Sequence, residues 1–138
     1  MAHIPPYLSA GDTIGMVCPA GYMAAENVAR CRASLENRGF KVKTGKTIGG
    51  HSVNYFSGTD EERLDDLQVM LDDDEIKAIL FGRGGYGVSR IIDRISFKRF
   101  RKSPKWIMGY SDITLLHVHI FSNYGIASAH SPMAAAFN

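Results

Sequence analysis

Pro104-Lys-Trp-Ile-Met-Gly-Tyr-Ser-Asp-Ile-Thr-Leu-Leu-His-Val-His-Ile-Phe-Ser-Asn-Tyr124 is the stretch whose reading decides the fold. Trp106-Ile107-Met108 is a short apolar run and reads as a buried strand, which Gly109 breaks. Asp112 to Tyr124 reads as a helix with Leu115, His119, Leu116 and Ile120 on its inner side. Ser111 then falls in a sharp strand-to-helix turn. Such a turn lifts a hydroxyl above the sheet and aims the following N–H groups at the same spot. Those N–H groups can stabilise a developing oxyanion. The plainer alternative is that Ser111 or Asp112 caps the helix, since Ser and Asp are preferred there. The nucleophile-elbow pattern G-x-S-x-G is also incomplete, with Ile113 in place of the second glycine.

Working upstream, Phe81-Gly-Arg-Gly-Gly-Tyr-Gly87 joins an apolar strand, Ile76 to Phe81, to an expected helix, Val88 to Ile95. Gly82, Gly84 and Gly87 satisfy G-x-G-x-x-G, the dinucleotide fingerprint. However, the motif follows the third strand rather than the first. The acidic residue expected about 20 positions on is replaced by the basic run Lys102 to Lys105. The glycines also suit a second role, because they let backbone N–H groups approach a ligand closely. Ligands of parallel sheets gather beyond the carboxyl ends of the strands, where both this loop and Tyr110-Ser111 lie. A Gly84 or Gly85 N–H can then pair with that of Asp112 as two oxyanion donors. A tight turn without a ligand stays open as the alternative.

The rest of the chain alternates in the same way. His3 to Asp12 is an extended lead-in, and Thr13 to Cys18 a short strand stopped by Pro19. Ala24 to Arg38 is a helix with Val28, Cys31 and Leu35 inward and Gly39 as its stop. Phe40 to Lys43 is an exposed strand, and Thr44 to Gly58 an irregular loop carrying His51, Tyr55 and Phe56. Thr59 and Glu62 have capping-box spacing ahead of a helix faced by Leu64, Leu67 and Leu71. Asp72 to Glu75 reads as a solvated helix end rather than a cation site. Ile126 to Ala129 is a last strand, and Pro132 begins a helical segment. Strands alternating with helices imply one α/β domain over residues 1–138, a three-layer parallel sheet of Rossmann-like or flavodoxin-like kind.

Composition narrows the function classes. A net charge of +2 over 138 residues is too small to argue for nucleic acid or an anionic membrane surface. No apolar run reaches the ~18 residues of a membrane span, and no signal-peptide core is read at the N-terminus. Cys18 and Cys31 lack metal-ligand spacing and are expected to be reduced core thiols of a cytoplasmic protein. No metal or cofactor is expected.

A serine nucleophile needs a base and an orienting partner. His117 lies six residues into the helix, about 9 Å along its axis from Ser111. His119 is further and reads as a core histidine. His130 ends the next strand and can approach Ser111 if that strand is adjacent, yet no acidic residue is placed to orient it. The chain reads as half a site.

The chain resembles the N-terminal part of the LD-carboxypeptidases, serine peptidases of the muramoyl-tetrapeptide carboxypeptidase and microcin-immunity family. The resemblance is carried by Gly11 to Gly21, by Phe56 to Arg63 followed by Asp66-Leu67-Gln68, by Arg83 to Gly87 with Arg90, and by Gly109 to Thr114 with His117. It implies Ser111 as nucleophile and the N–H groups of Asp112 and Gly85 as the oxyanion hole. Gly84, Tyr86, Arg83, Tyr110 and His130 would line the substrate site. The base, a histidine oriented by a glutamate, would come from a C-terminal domain absent from this chain. Ser131 departs from the family's usual His-Gly-Pro-Met. The implied reaction is hydrolysis of the amide between an L-configured diamino-acid centre and a terminal D-alanine, in bacterial cytoplasmic cell-wall recycling. Arg83 and Arg90 are candidates to meet a substrate carboxylate, with structural ion pairs as the alternative. Exposed apolar surface is expected where a second domain docks, and homodimerisation through such surface is expected too.

Overall fold

The computed structural model describes residues 1–137. Among the described residues seven strands are formed: β1 (Thr13–Val17), β2 (Lys41–Thr44), β3 (Ser52–Val53), β4 (Phe56–Ser57), β5 (Ile76–Phe81), β6 (Trp106–Gly109) and β7 (Ala129–His130). Four α-helices accompany them: α1 (Ala29–Asn37), α2 (Asp60–Asp72), α3 (Lys98–Lys102) and α4 (Thr114–Tyr124). Five strands make one parallel sheet in the order β2-β1-β5-β6-β7. That is the flavodoxin-like order, with a switch point between β1 and β5 where the chain turns to build the sheet outward the other way. The expected α/β fold is therefore the one observed.

Side-chain alternation along β5 sorts the core into two layers. Ile79 and Phe81 face α2, α3 and α4, together with Leu67, Phe100, Ile107, Leu116 and Ile120. Ala78 and Leu80 face α1, together with Ile14, Met16, Val28, Cys31 and Leu35. Burying each large side chain of these layers stabilises the fold by roughly 1.5–3 kcal/mol. The edge strand β2 stays largely exposed, as its alternation of Lys41 and Lys43 with Val42 and Thr44 dictates. Among the described residues no helix is long and apolar enough to cross a membrane.

The capping box at Thr59 and Glu62 is present in both directions and starts α2. Two buried charges on α2, Arg63 and Asp66, tie the sheet's carboxyl edge together. Arg63 is 1% exposed. Its Nε donates to the Pro19 carbonyl at 3.0 Å, its Nη1 to the Gly58 carbonyl at 2.8 Å, and its Nη2 to the Asp60 carboxylate. Asp66 accepts from the Lys46 and Thr47 N–H groups at 3.0 and 2.8 Å, while Thr47 Oγ1 accepts from the Cys18 N–H. These bonds fix where the segment after β2 runs. It is not the irregular loop its glycines suggested, because Ser52–Val53 and Phe56–Ser57 pair as a small antiparallel hairpin.

Other departures are local. The α-helix expected over Val88 to Ile95 is two 3-10 turns, Val88–Arg90 and Ile92–Arg94, with Ile91 and Ile95 buried and Ile92 partly buried against the core. The start of the first helix (Ala25–Val28) and of the helix after Ser111 (Ser111–Ile113) are also 3-10. On α4 the buried side is Leu116 and Ile120, and Leu115 is 41% exposed rather than inward. Ile126 lies outside the last strand and pairs with His3 of the lead-in.

Candidate active site

Gly109, Tyr110 and Ser111 form the turn from β6 into the first helical turn. Tyr110 is fully extended (φ −147°, ψ −170°), and Ser111 then takes a φ of +60°. Asn54 is the other non-glycine residue with positive φ among those described. The left-handed region is unfavourable for a residue with a Cβ and is held only where surrounding structure demands it. Here the demand comes from β6 on one side and the buried Ile113 on the other. A Cβ on Gly109 would sit 3.0–3.2 Å from Ile113 side-chain atoms, so Ile113 fills the room that Gly109 leaves. That contact accounts for an isoleucine where the elbow pattern carries its second glycine. Ser111 is exposed at the carboxyl edge of the sheet.

The glycine loop packs against this turn. A Cβ on Gly84 would lie 3.3 Å from the Asp112 N, 3.4 Å from the Ser111 Cβ and 3.5 Å from its Oγ. On the far side, a Cβ on Gly85, whose φ is +97°, would collide with the Tyr55 hydroxyl. The Gly84–Gly85 peptide is thus clamped between the serine turn and the hairpin, with room for no side chain. Asp112 locks the pair: its Oδ2 accepts from the Val88 N–H at 2.9 Å. The two turns expected to share a site are in contact. The strand–turn–helix context of a dinucleotide fingerprint is not met, because the loop leads into 3-10 turns with no α-helix start for a pyrophosphate.

The remaining expected site residues divide clearly. Tyr86 and Tyr110 are 54% and 44% exposed on the same rim. His130 pairs in register with Gly109 and stands edge-on to the Tyr110 ring, 6.1 Å between centroids. Arg83 is half-buried, donating from Nη1 to the Tyr22 carbonyl at 3.0 Å. Arg90 makes a two-point ion pair with Asp60, both distances 2.9 Å, which is the structural alternative foreseen for it. Tyr55, at the tip of the hairpin, was not foreseen as part of the site. Nothing local marks it, since its contacts with Gly85 and Arg83 are about thirty residues away in sequence.

The histidines do not complete a triad. His117 Nε2 lies 2.9 Å from the Gly109 carbonyl and its Nδ1 2.6 Å from Ser128 Oγ. A carbonyl only accepts, so Nε2 carries the hydrogen and Nδ1 receives the Ser128 hydroxyl. His117 therefore straps α4 to the end of β6. His119 packs on the rings of Phe97 and Tyr124. The His51–Glu62 pair, at 3.2 Å, shares Glu62 with the capping box and borders a cavity of about 270 Å³ that Ser111 does not line. Among the described residues no histidine nitrogen is hydrogen-bonded to the Ser111 hydroxyl. The arrangement offers an exposed serine on a strained turn beside two stretches of approachable N–H groups, without a base in contact.

Residues 14–131 match the family model described as the LD-carboxypeptidase N-terminal domain. The chain is 43% identical over 129 residues to a probable murein peptide carboxypeptidase of Bacillus subtilis, covering 94% of this chain and 40% of that protein. It is 30% identical over 128 residues to the microcin C7 self-immunity protein MccF of Escherichia coli, covering 91% and 37%. The crystal structure of the MccF-like protein of Bacillus anthracis strain Ames superposes with a TM-score of 0.88 at 28% identity, covering 99% of this chain and 42% of that one. The chain spans about two-fifths of the length of these relatives.

Proposed function

The chain belongs to the LD-carboxypeptidase family, and from that premise we propose that it is the nucleophile-bearing half of a serine carboxypeptidase acting on muropeptides. One observation carries the reading: Ser111, held at φ +60° and exposed, lies against Gly84 and the Asp112 N–H. In this reading Ser111 Oγ attacks the carbonyl carbon of the amide joining an L-configured diamino-acid centre to a terminal D-alanine. The hydroxyl proton passes to a base and the carbonyl oxygen becomes an oxyanion between the N–H groups of Gly85 and Asp112. Collapse of that intermediate breaks the C–N bond, and the D-alanine nitrogen leaves with the proton. Water then attacks the acyl-serine ester by the same route, releasing the shortened peptide and restoring the hydroxyl.

The base is a histidine oriented by a glutamate on a C-terminal domain that follows this one. The glycine turn and the elbow supply the electrostatic part of catalysis, and the second domain supplies proton transfer. The setting is the bacterial cytoplasm, in cell-wall recycling. No cofactor takes part. Likeness to the microcin C7 self-immunity protein supports a second substrate for the same machinery, a peptide antibiotic.

The test is D-alanine release from a muropeptide tetrapeptide by the full-length protein. Ser111→Ala is expected to lower kcat by on the order of 10³-fold or more, and residues 1–138 alone to be nearly inactive. Full turnover by the isolated chain, abolished by Ser111→Ala, would point to His130 as the base instead. Turnover unaffected by Ser111→Ala in the full-length protein would dismiss the serine mechanism.

A further inference from the structure

Of the sixteen lysines and arginines, three are withdrawn from solvent: Arg63, Arg83 and Lys105. Two of them have evident electrostatic partners. Arg63 bonds the Asp60 carboxylate. Lys105 donates to the carbonyls of Met70 and Asp73 at 2.9 and 2.6 Å, at the negative end of α2. Arg83 has a single carbonyl, Tyr22 O, and a long contact of 3.4 Å from Nη2 to the Tyr55 hydroxyl. Among the described residues no carboxylate pairs with it. A guanidinium carries five N–H donors in a planar fork, and here at most two of them find a protein acceptor. A half-buried cation in that condition lacks its complement, and the complement that matches the fork is a carboxylate.

Its place in the fold says which carboxylate. Arg83 sits in the turn after β5, beside the β1–β5 switch point where such sheets take their ligands. The next residue, Gly84, is the one that touches Ser111. The guanidinium is also held flat in advance. Gly21 lies on it so closely that a Cβ there would come within 2.9 Å of Cζ and Nε, and the Tyr55 ring centroid is 5.6 Å from Cζ.

We propose that Arg83, steadied by Gly21 and Tyr55, is the seat for the free C-terminal carboxylate of the peptide whose scissile carbonyl lies on Ser111. The assignment rests on the acyl-transfer reading of Ser111 and adds what would make the enzyme a carboxypeptidase rather than an endopeptidase. Arg90, tied to Asp60 by two hydrogen bonds, has no part in it.

The experiment uses the full-length protein carrying Ser111→Ala to block turnover, titrated calorimetrically with N-acetyl-L-lysyl-D-alanine and with its C-terminal amide. The free acid is expected to bind about tenfold or more tightly than the amide, as a charge-assisted pair requires. Adding Arg83→Gln should bring the acid down to the amide's affinity and leave the amide where it was. Arg83→Lys, which keeps the charge but not the fork, should retain part of the preference and guards against a folding defect in the glutamine variant. Equal binding of acid and amide to the parent, or equal weakening of both by Arg83→Gln, overturns the seat and makes Arg83 a scaffold residue. Binding of neither peptide overturns the seat together with the peptide reading. An intact preference for the acid in a protein that shows no Ser111-dependent turnover removes the mechanism and leaves the seat standing.

Discussion

Asp112 acts at two neighbouring atoms, and substitution can separate them. Its carboxylate holds the Val88 N–H, while its own N–H faces the space shared by Gly84 and Ser111. Asp112→Ala leaves the N–H of the buried Val88 without an acceptor, which is expected to lower stability by about 1–2 kcal/mol. It should also lower kcat by letting the glycine turn drift. Asp112→Asn keeps an acceptor, so chemical denaturation and kinetics of the pair should rank asparagine well above alanine. Asp60 makes a prediction of a different kind. Hydrogen bonding from Arg90, then from Arg63, and after these the charges of both arginines, hold its carboxyl down at about 2 against an ordinary 3.8, with desolvation opposing. A lowered carboxyl contributes stability that is present above its unfolded value and is lost as pH falls through the folded one. The melting temperature gap between the parent and Asp60→Asn should therefore be full at pH 5 and close between about pH 4 and 2. A gap that persists at pH 2 would show that the charge is not what Asp60 contributes.

At the level of elements, α4 faces two ways. Leu116 and Ile120 enter the core, while Leu115, Val118 and Phe121 stand 41%, 58% and 57% exposed. The helix Thr114–Tyr124 carries no Asp, Glu, Lys or Arg, so two copies can meet along it without repulsion. We propose this face as the interface of the expected homodimer. Phe121→Lys should shift sedimentation toward the monomer with little change in melting temperature, and an unchanged sedimentation coefficient would remove α4 from the interface. Local signals were enough for much of this level. The spacing of Val28, Cys31 and Leu35 and the Thr59–Glu62 box each marked an observed helix, and Gly39, with a φ of +91°, stops the first of them. Leu115 misled because an all-apolar or uncharged helix offers no polar face to set its rotation. The hairpin escaped notice because its position is dictated from afar, by Asp66 holding residues about twenty positions away. The 3-10 turns after Gly87 likewise reflect the bond from Val88 to Asp112, which no window of neighbouring residues contains.

Across the whole molecule, the sheet's carboxyl edge gathers the β1, β5 and β6 turns, and that gathering was readable from strand–helix alternation alone. The exposed serine and the glycine turn beside it, proposed above as nucleophile and oxyanion donors, could be picked out for the same reason, since each sits on one contiguous turn. The cation at Arg83 stood out by its type, but that no carboxylate pairs with it among the described residues depends on where fourteen carboxylates lie in space. Burial is global in the same sense for the two thiols. Cys18 and Cys31 are both 0% exposed, and burial pushes their thiols up to about 12 and about 11. A thiolate is the reactive form, so a disulfide reagent should modify the native protein only through opening. Its rate should rise with denaturant in step with global unfolding, and fast modification in buffer would contradict the packing of the α1-facing layer, in which both thiols lie. Arg63 carries one more consequence. Two of its acceptors are peptide oxygens, which no codon specifies. In a saturating mutational screen, position 63 should therefore be intolerant even of lysine, and no suppressor should arise at Pro19 or Gly58 to rescue it.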